Sequence, residues 1–113
     1  MWKKFDISTT PIQRDDIEVS KIKIDGYLDS STFPKLQEHL AQMVAQNRIH
    51  LLLNLADLDY ISSAGLGVLL RTQKRLMASG SGLKMVNVNS HIGDIFRFSG
   101  FDQIFEIQRA PDA

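Results

Sequence analysis

The 113-residue sequence contains no cysteine. This absence excludes disulfide bonds, thiol catalysis and thiol redox switching, and it excludes zinc or iron–sulfur sites built on cysteine ligands. A chain of this length buries roughly 65% of the surface that its unfolded form exposes, which is enough for a hydrophobic core without such cross-links.

An excess of charge is also lacking, because 13 basic residues balance 13 acidic ones and the formal net charge is +0. Nucleic-acid-binding domains carry a basic surplus that neutralises phosphates, so no direct nucleic-acid partner is expected. No apolar run approaches the roughly 20 residues of a membrane span, and residues 1–6 carry charges where a signal peptide would be apolar. We therefore expect a cytoplasmic protein without membrane association.

Linkers, repeats and low-complexity segments are absent as well, since the chain has only 3 prolines and 7 glycines and no block of biased composition. The composition, 43% hydrophobic and 23% charged, is that of an ordinary globular protein. We expect one domain over residues 1–113, with a frayed end only at 109–113.

Segments rich in β-branched and aliphatic residues predict the strands. They lie at residues 17–24, 49–55, 83–88 and 104–107, and residues 3–11 can add an antiparallel edge strand. The apolar period slips between Val19 and Ile22, which indicates a bulge or a strand covered on both faces. The unbroken apolar run at 49–55 predicts a central strand covered on both faces.

Helical spacing follows three of these strands: from the hydroxyls at 30–32 to Asn47, from Ser63 to Gly80, and from a Ser90 cap to Gly100. Residues 57–63 are expected to form a turn. The order ββαβαβαβ predicts a small α/β domain. Its mixed sheet is mostly parallel with an N-terminal antiparallel strand, and helices pack on it. Loops after parallel strands emerge at one end of such a sheet, where function is expected.

The segment 54–70 is the one that suggests chemistry. Ser62 and Ser63 stand at the start of the second helix, where backbone amides lack partners and no acidic residue follows in the first turn. Such a helix start favours an anion, but the pattern alone favours the simpler interpretation that the two serines only cap the helix. Asp57 and Asp59 suit a turn, and Gly65 and Gly67 suit close packing of the helix on the sheet.

Catalytic motifs are not met in this segment. A phosphate loop needs a lysine after the second glycine, and a hydrolase elbow needs glycine two places before its serine, but Tyr60 and Ile61 stand there. No motif links the three histidines, His39, His50 and His91, into a base or a metal site. We expect no enzyme, no metal and no cofactor.

Three motifs in order resemble a known family: residues 24–29 (IDGYLD), 59–67 (DYISSAGLG) and 98–101 (FSGF). They resemble the STAS family of anti-sigma factor antagonists, over about residues 17–107. The resemblance implies a single STAS-like domain in which Ser63 is the phosphoacceptor. It further implies an anti-sigma factor that is also a serine kinase, which binds the unphosphorylated form, and a serine phosphatase that restores this form. Transcription would thus be regulated indirectly.

One position departs from the family pattern. Sporulation and stress-response members of the family have Asp immediately before the acceptor, whereas this chain has Ser62, which leaves Ser62 open as a second acceptor. The resemblance also places a partner-binding surface at one end of the sheet, at the residues Asp29, Asn54, Asp59, Ser62, Ser63 and Gly65. Asp29 and Asn54 can alternatively just hold their loops.

Two other functions remain open from the sequence. STAS domains also serve as scaffold subunits of lipid-transport or stress-sensing complexes, in which the serine can be silent. A nucleotide-binding or enzymatic role for residues 62–67 is the less favoured alternative, because the general base and the phosphate-binding lysine are both missing.

Overall fold

The computed structural model describes residues 4–110, in which a sheet of six strands carries three α-helices. The elements are β1 (Asp6–Arg14), β2 (Ile17–Leu28), α1 (Phe33–Ala45), β3 (Leu51–Asn54), β4 (Leu58–Ile61), α2 (Ser63–Ala78), β5 (Lys84–Val88), α3 (Ser90–Ser99), a 3₁₀ turn (Phe101–Gln103) and β6 (Glu106–Arg109).

The sheet is mixed, with the strand order β1-β2-β3-β5-β6 and β4 beside β2. β1 pairs antiparallel with β2, and every other pair in the described sheet is parallel. β2 is 12 residues long and serves two neighbours in succession, β3 alongside Ser20–Lys23 and β4 alongside its end at Gly26–Leu28. The predicted fold class, a mostly parallel sheet with an antiparallel N-terminal strand, is confirmed.

β4 is the element that the sequence analysis missed, since residues 57–63 were expected to be a turn. Leu58 and Ile61 are both buried and pair with Gly26 and Leu28 of β2. A bulge at Asp59 lets both apolar residues face the core although they stand three apart, so the strand shows no period of two. The described order is therefore ββαββαβαβ.

Of the two alternatives for the slip between Val19 and Ile22, the bulge is wrong, because the register of β2 against β1 is continuous there. Ser20 takes the inward position and is 2% exposed. The apparent slip in the pattern arose from a small polar residue at a core position.

One hydrophobic core lies between the helices and one face of the sheet. Alternate strand residues and the inner sides of all three helices build it: Ile22, Ile24, Leu51, Leu53, Met85, Leu36, Leu40, Val68, Leu69, Leu76, Ile92 and Phe96. Leu52 points to the opposite face, where it lines open grooves with Arg14 and Lys84, and no helix residue lines these grooves. The expectation that β3 is a central strand covered on both faces is confirmed, because it lies between β2 and β5 and all four of its residues are buried, Leu52 at 7% exposure included.

The ends of several elements differ from the prediction. Asn89, not Ser90, caps α3, because its side chain accepts the Ile92 N–H at 2.9 Å. The 3₁₀ turn after Gly100 delays the last strand to Glu106–Arg109. Arg109 is thus strand rather than frayed end, and the Ala110 N–H donates to the Val88 carbonyl at 2.9 Å. The rest of that predicted end, 111–113, lies outside the described residues.

Candidate functional site

Three loops meet where the parallel strands end, and hydrogen bonds tie them together. The Ser62 N–H donates to the Leu28 carbonyl at 2.8 Å, which joins the start of α2 to the end of β2. The Asn89 side chain donates to the Leu58 carbonyl at 2.8 Å, which joins the start of α3 to β4. The prediction that these loops cluster at one end of the sheet is therefore confirmed.

Ser62 is the N-cap of α2. Its backbone is extended, with φ −90° and ψ 172°, and its Oγ accepts the Gly65 N–H at 3.2 Å. Its carbonyl accepts the Leu66 N–H at 2.9 Å, the first bond of the helix. The half-buried Ser62 side chain is therefore committed to holding the helix start.

Ser63 is the first residue of α2 and is exposed to solvent. Its hydroxyl takes no part in the cap, since Ser62 supplies the capping oxygen. No acidic residue lies in the first turn of α2, so no carboxylate of the helix itself offsets the positive end of its dipole beside Ser63. The arrangement presents a hydroxyl to an incoming protein at a place that favours negative charge.

Asp29 organises the loop between β2 and α1. Its Oδ1 accepts the Ser31 hydroxyl at 2.7 Å and the backbone N–H groups of Ser31 at 2.9 Å and Thr32 at 3.2 Å. The side-chain and backbone hydrogen bonds from Ser31, with those from Thr32, lower the pKa of Asp29 below its usual value. The expected hydroxyl cap of α1 is absent, because Thr32 makes no side-chain cap and its Oγ1 donates instead to the Tyr27 carbonyl at 2.7 Å.

Asn54 is 9% exposed at the end of β3, on the face away from the helices. Its Oδ1 accepts the Ala56 N–H at 3.1 Å and the Asn87 side-chain amide at 3.3 Å. These bonds hold the loop after β3 to β5. Asn54 thus has the loop-holding geometry that the sequence analysis gave as the alternative to partner binding.

The bulge in β4 places both Asp59 and Tyr60 at the surface. Tyr60 is 40% exposed, and its ring centroid lies 5.8 Å from that of Tyr27 on β2. This aromatic pair was not foreseen, because its exposure depends on a bulge that leaves no periodic signal in the sequence.

Asp57 stands in the connection before β4, where the sequence predicted a turn role. Lys23 donates to Asp57 and to Asp25, each at 2.6 Å, and these two bonds raise the pKa of Lys23 to about 12. The ion pair between Lys23 and Asp57 fastens the β3–β4 connection to β2.

Gly65 and Gly67 have different surroundings. A Cβ at Gly65 would lie 2.8 Å from Leu28 Cγ and 3.0 Å from Ile61 Cγ1, so the glycine permits close packing of α2 on the sheet, as predicted. A Cβ at Gly67 would meet only the Arg71 side chain, at 3.2 Å, so the packing expectation is wrong for Gly67. Gly65 is buried, so it does not contact a partner directly; it lets the start of α2 lie close to the sheet.

Residues 4–110 hold neither a cluster of metal ligands nor a membrane-spanning helix. No group of three or more His, Asp or Glu side chains in this range could hold a metal ion. No helix there is long and apolar enough to cross a membrane. His39 lies on α1, where its Nε2 is 2.6 Å from Thr9 Oγ1 of β1.

Comparison with known proteins adds independent information. The family model of the STAS domain matches residues 10–112. The protein BtrV of Bordetella bronchiseptica is 33% identical over 90 residues, covering 80% of this chain and 78% of its own. The anti-sigma-B factor antagonist of Staphylococcus epidermidis is 29% identical over 92 residues, covering 81% of this chain and 85% of its own.

A solved structure shows the same fold. The phosphorylated form of the Bacillus cell fate determinant SpoIIAA superimposes with a TM-score of 0.69 at 18% identity, covering 90% of each chain. The sequence motifs, the order of the strands and helices and the match to the family model agree, and this chain belongs to the STAS domain family.

Proposed function

We propose that this protein is an anti-sigma factor antagonist whose binding to an anti-sigma factor is switched by phosphorylation of Ser63. The observation that carries the proposal is the exposed Ser63 hydroxyl at the first residue of α2, beside a cap that Ser62 supplies. The names of the relatives support the antagonist role. The protein acts as a binding module in the cytoplasm, without catalysis, cofactor, metal, nucleic acid or membrane of its own.

Ser63 rather than Ser62 is the acceptor in this proposal. A kinase needs an accessible hydroxyl, and the Ser63 side chain is exposed while that of Ser62 is half-buried and accepts the Gly65 N–H. The kinase is the anti-sigma factor itself, and a serine phosphatase removes the phosphate. The proposed partner-binding surface includes Asp29, Asp59 and Ser62 beside Ser63; in its support, the Ser62 N–H bonds the carbonyl of Leu28, the residue before Asp29.

The switch acts through charge on a rigid surface. A phosphate adds about −1.5 to −2 charges at pH 7, and a helix N-terminus stabilises such a charge by roughly 0.3–1 kcal/mol. The modified chain therefore keeps its fold. In the complex, the same charge is buried against a surface that fitted a neutral hydroxyl, and a penalty of about 2.7 kcal/mol weakens binding roughly a hundredfold.

The test measures binding of two variants to the cognate anti-sigma factor by calorimetry. Ser63→Ala is expected to bind as tightly as the unphosphorylated chain even after incubation with the factor and ATP. Phosphorylated Ser63 is expected to weaken binding roughly a hundredfold. Ser63→Asp is expected to weaken binding by up to that factor, because Asp carries a single negative charge. Equal affinities of the two variants contradict the proposal.

Ser90 provides a matched control. It is likewise exposed and is likewise the first residue of its helix, after the Asn89 cap. Ser90→Asp is expected to leave the affinity unchanged. Mass spectrometry after incubation with the factor and ATP identifies the modified residue. A complex that forms but takes up no phosphate at Ser63 would instead favour a scaffold subunit of a transport or stress-sensing complex.

A further inference from the structure

The solvent-facing side of α2 carries Ser63, Gly67 and Arg71, spaced four residues apart. Residues at this spacing stack one above the other along a helix, with Cβ atoms about 5–6 Å apart. Ser63 and Arg71 are exposed, and Gly67 between them is half-buried. The three residues therefore form one continuous strip of surface that starts at the proposed phosphoacceptor.

The Arg71 side chain lies along this strip toward Ser63. Its Nη1 is 3.2 Å and its Cζ 3.9 Å from the position that a Cβ on Gly67 would occupy. Long side chains on helices point back toward the N-terminus, so the guanidinium lies on the Ser63 side of its own Cα. The missing side chain at Gly67 leaves this surface free for the guanidinium.

The guanidinium has unused hydrogen-bonding capacity. Arg71 Nη2 donates to Gln37 Oε1 of α1 at 3.2 Å, and within residues 4–110 no carboxylate pairs with Arg71. An arginine has five N–H donors in a planar fork, so Nη1 and Nε remain for another acceptor. No acidic residue in the first turn of α2 competes for them.

We infer that Arg71 binds the phosphoryl group that Ser63 carries in the phosphorylated protein, with Gly67 as the open surface between them. The inference rests on the proposed function, since it takes Ser63 as the acceptor. The Arg71 guanidinium already lies over Gly67, one turn from Ser63, and a guanidinium and a phosphate form paired, charge-assisted hydrogen bonds. Arg71 is thus a positioning residue for phosphoserine.

This contact changes what a bound protein meets. In the unphosphorylated chain, the surface presents a neutral hydroxyl and a guanidinium with free donors. In the phosphorylated chain, it presents a phosphate and a guanidinium that is already engaged. Phosphorylation therefore alters two groups on the face of α2 at once, and both changes act on the partner.

The test uses protein with phosphoserine placed at position 63 by genetically encoded incorporation, so that no kinase is required. A ³¹P NMR titration measures the second pKa of the phosphate, which is about 6 without a partner. A neighbouring cation favours the dianion and lowers this pKa. We expect Arg71→Gln to raise it by roughly 0.2–0.7 units relative to the otherwise unaltered phosphoprotein, the size of an exposed ion pair.

Two further variants separate a specific contact from the general field of the helix. Arg71→Lys keeps a cation that reaches the same place and is expected to retain part of the lowering. Arg75→Gln removes an equal charge one turn farther along the same strip, 12 residues and roughly 18 Å from Ser63, and is expected to leave the phosphate pKa nearly unchanged because that distance exceeds the Debye length. An unchanged pKa in Arg71→Gln, or an equal rise in Arg75→Gln, overturns the inference.

Failure of the inference and failure of the proposed function are distinguishable. The titration contains no anti-sigma factor, so it reports only on the contact between Arg71 and the phosphate. If Ser63→Ala and Ser63→Asp differ in binding as proposed while Arg71→Gln leaves the phosphate pKa unchanged, the Arg71 contact alone is overturned. If the two Ser63 variants bind equally, the proposed function falls, whatever the titration gives.

Discussion

Replacing Gly65 by alanine tests how closely α2 is seated on the sheet. The added Cβ would lie 2.8 Å from Leu28 Cγ, 2.9 Å from Leu28 Cδ2 and 3.0 Å from Ile61 Cγ1. Leu28 is 0% and Ile61 4% exposed, and both belong to the core, so neither can move without disturbing its neighbours. The new methyl group therefore has to be accommodated by a shift of α2 or by strained side chains.

The magnitude follows from two opposing contributions. Overpacking of a core costs typically 1–3 kcal/mol. Alanine in a helix is more favourable than glycine by roughly 0.5–1 kcal/mol. Their difference spans about 0–2.5 kcal/mol, and from its middle we expect Gly65→Ala to lower the free energy of unfolding by about 1 kcal/mol.

Gly67→Ala is the matched control, because it makes the same change two residues later in the same helix. Its Cβ would meet only the flexible end of Arg71, at 3.2 Å, which can swing into solvent. The helix-propensity gain then dominates, and this variant is expected to be as stable as the parent chain or more stable by up to about 1 kcal/mol.

Urea unfolding of the three proteins, followed by circular dichroism, gives their free energies of unfolding. Equal slopes with denaturant show that a difference in midpoint is a difference in stability. If Gly65→Ala proves as stable as Gly67→Ala, the close approach of α2 to Leu28 and Ile61 is not the reason for glycine at position 65, and the reasoning is refuted.

Two other changes test the supports of the site. Ser62→Ala removes the capping oxygen of α2 and is expected to lower the free energy of unfolding, measured in urea, by about 1 kcal/mol. Ser62→Asp retains an acceptor and is expected to be about as stable as the parent chain. Equal losses of stability in the two variants would contradict the capping role of Ser62. Lys23 has a pKa raised to about 12 by its bonds to Asp25 and Asp57, so its contribution to stability is complete below its ordinary pKa of 10.5 and is lost as pH rises through about 12. Lys23→Gln is therefore expected to flatten the decline in melting temperature between pH 10 and pH 12, and an identical decline in both proteins would argue against the ion pairs.

Much of the architecture was predictable because it follows from local patterns. The apolar run of β3 and the helical spacing of α1 and α2 identified their elements, and the alternation of strands and helices implied parallel pairs. The left-handed backbone at Gly80 and Gly100, each with φ +79°, agrees with their predicted places at helix ends.

The errors have a common cause, which is that the missing information was not local. β4 is four residues long and carries a bulge, so only its pairing with β2 identifies it as a strand. The inward position of Ser20 depends on the register of β2, which neighbouring strands set. The 3₁₀ turn Phe101–Gln103 also depends on contacts beyond its own segment, since Phe101 packs against the core and its ring lies 5.7 Å from that of Phe105.

For the candidate site too, the sequence predicted some features and only the folded chain shows the others. The sequence indicated Ser62 and Ser63 as residues at a helix start, but either hydroxyl could have been the cap. Only the folded chain assigns the cap to the Ser62 oxygen and exposes the hydroxyl of Ser63. The side-chain path of Arg71 over Gly67 likewise appears only once α2 is seated beside α1.

The sequence by itself determined the class of fold, the start of α2 at two serines and the absence of acidic residues in its first turn, because periodicity and helix-end chemistry act over a few neighbouring residues. The tertiary structure alone decided which serine supplies the cap, which face of the sheet carries the helices and how the Arg71 side chain lies over Gly67. Those outcomes depend on strand register and on contacts between residues far apart in the chain, which no local pattern encodes.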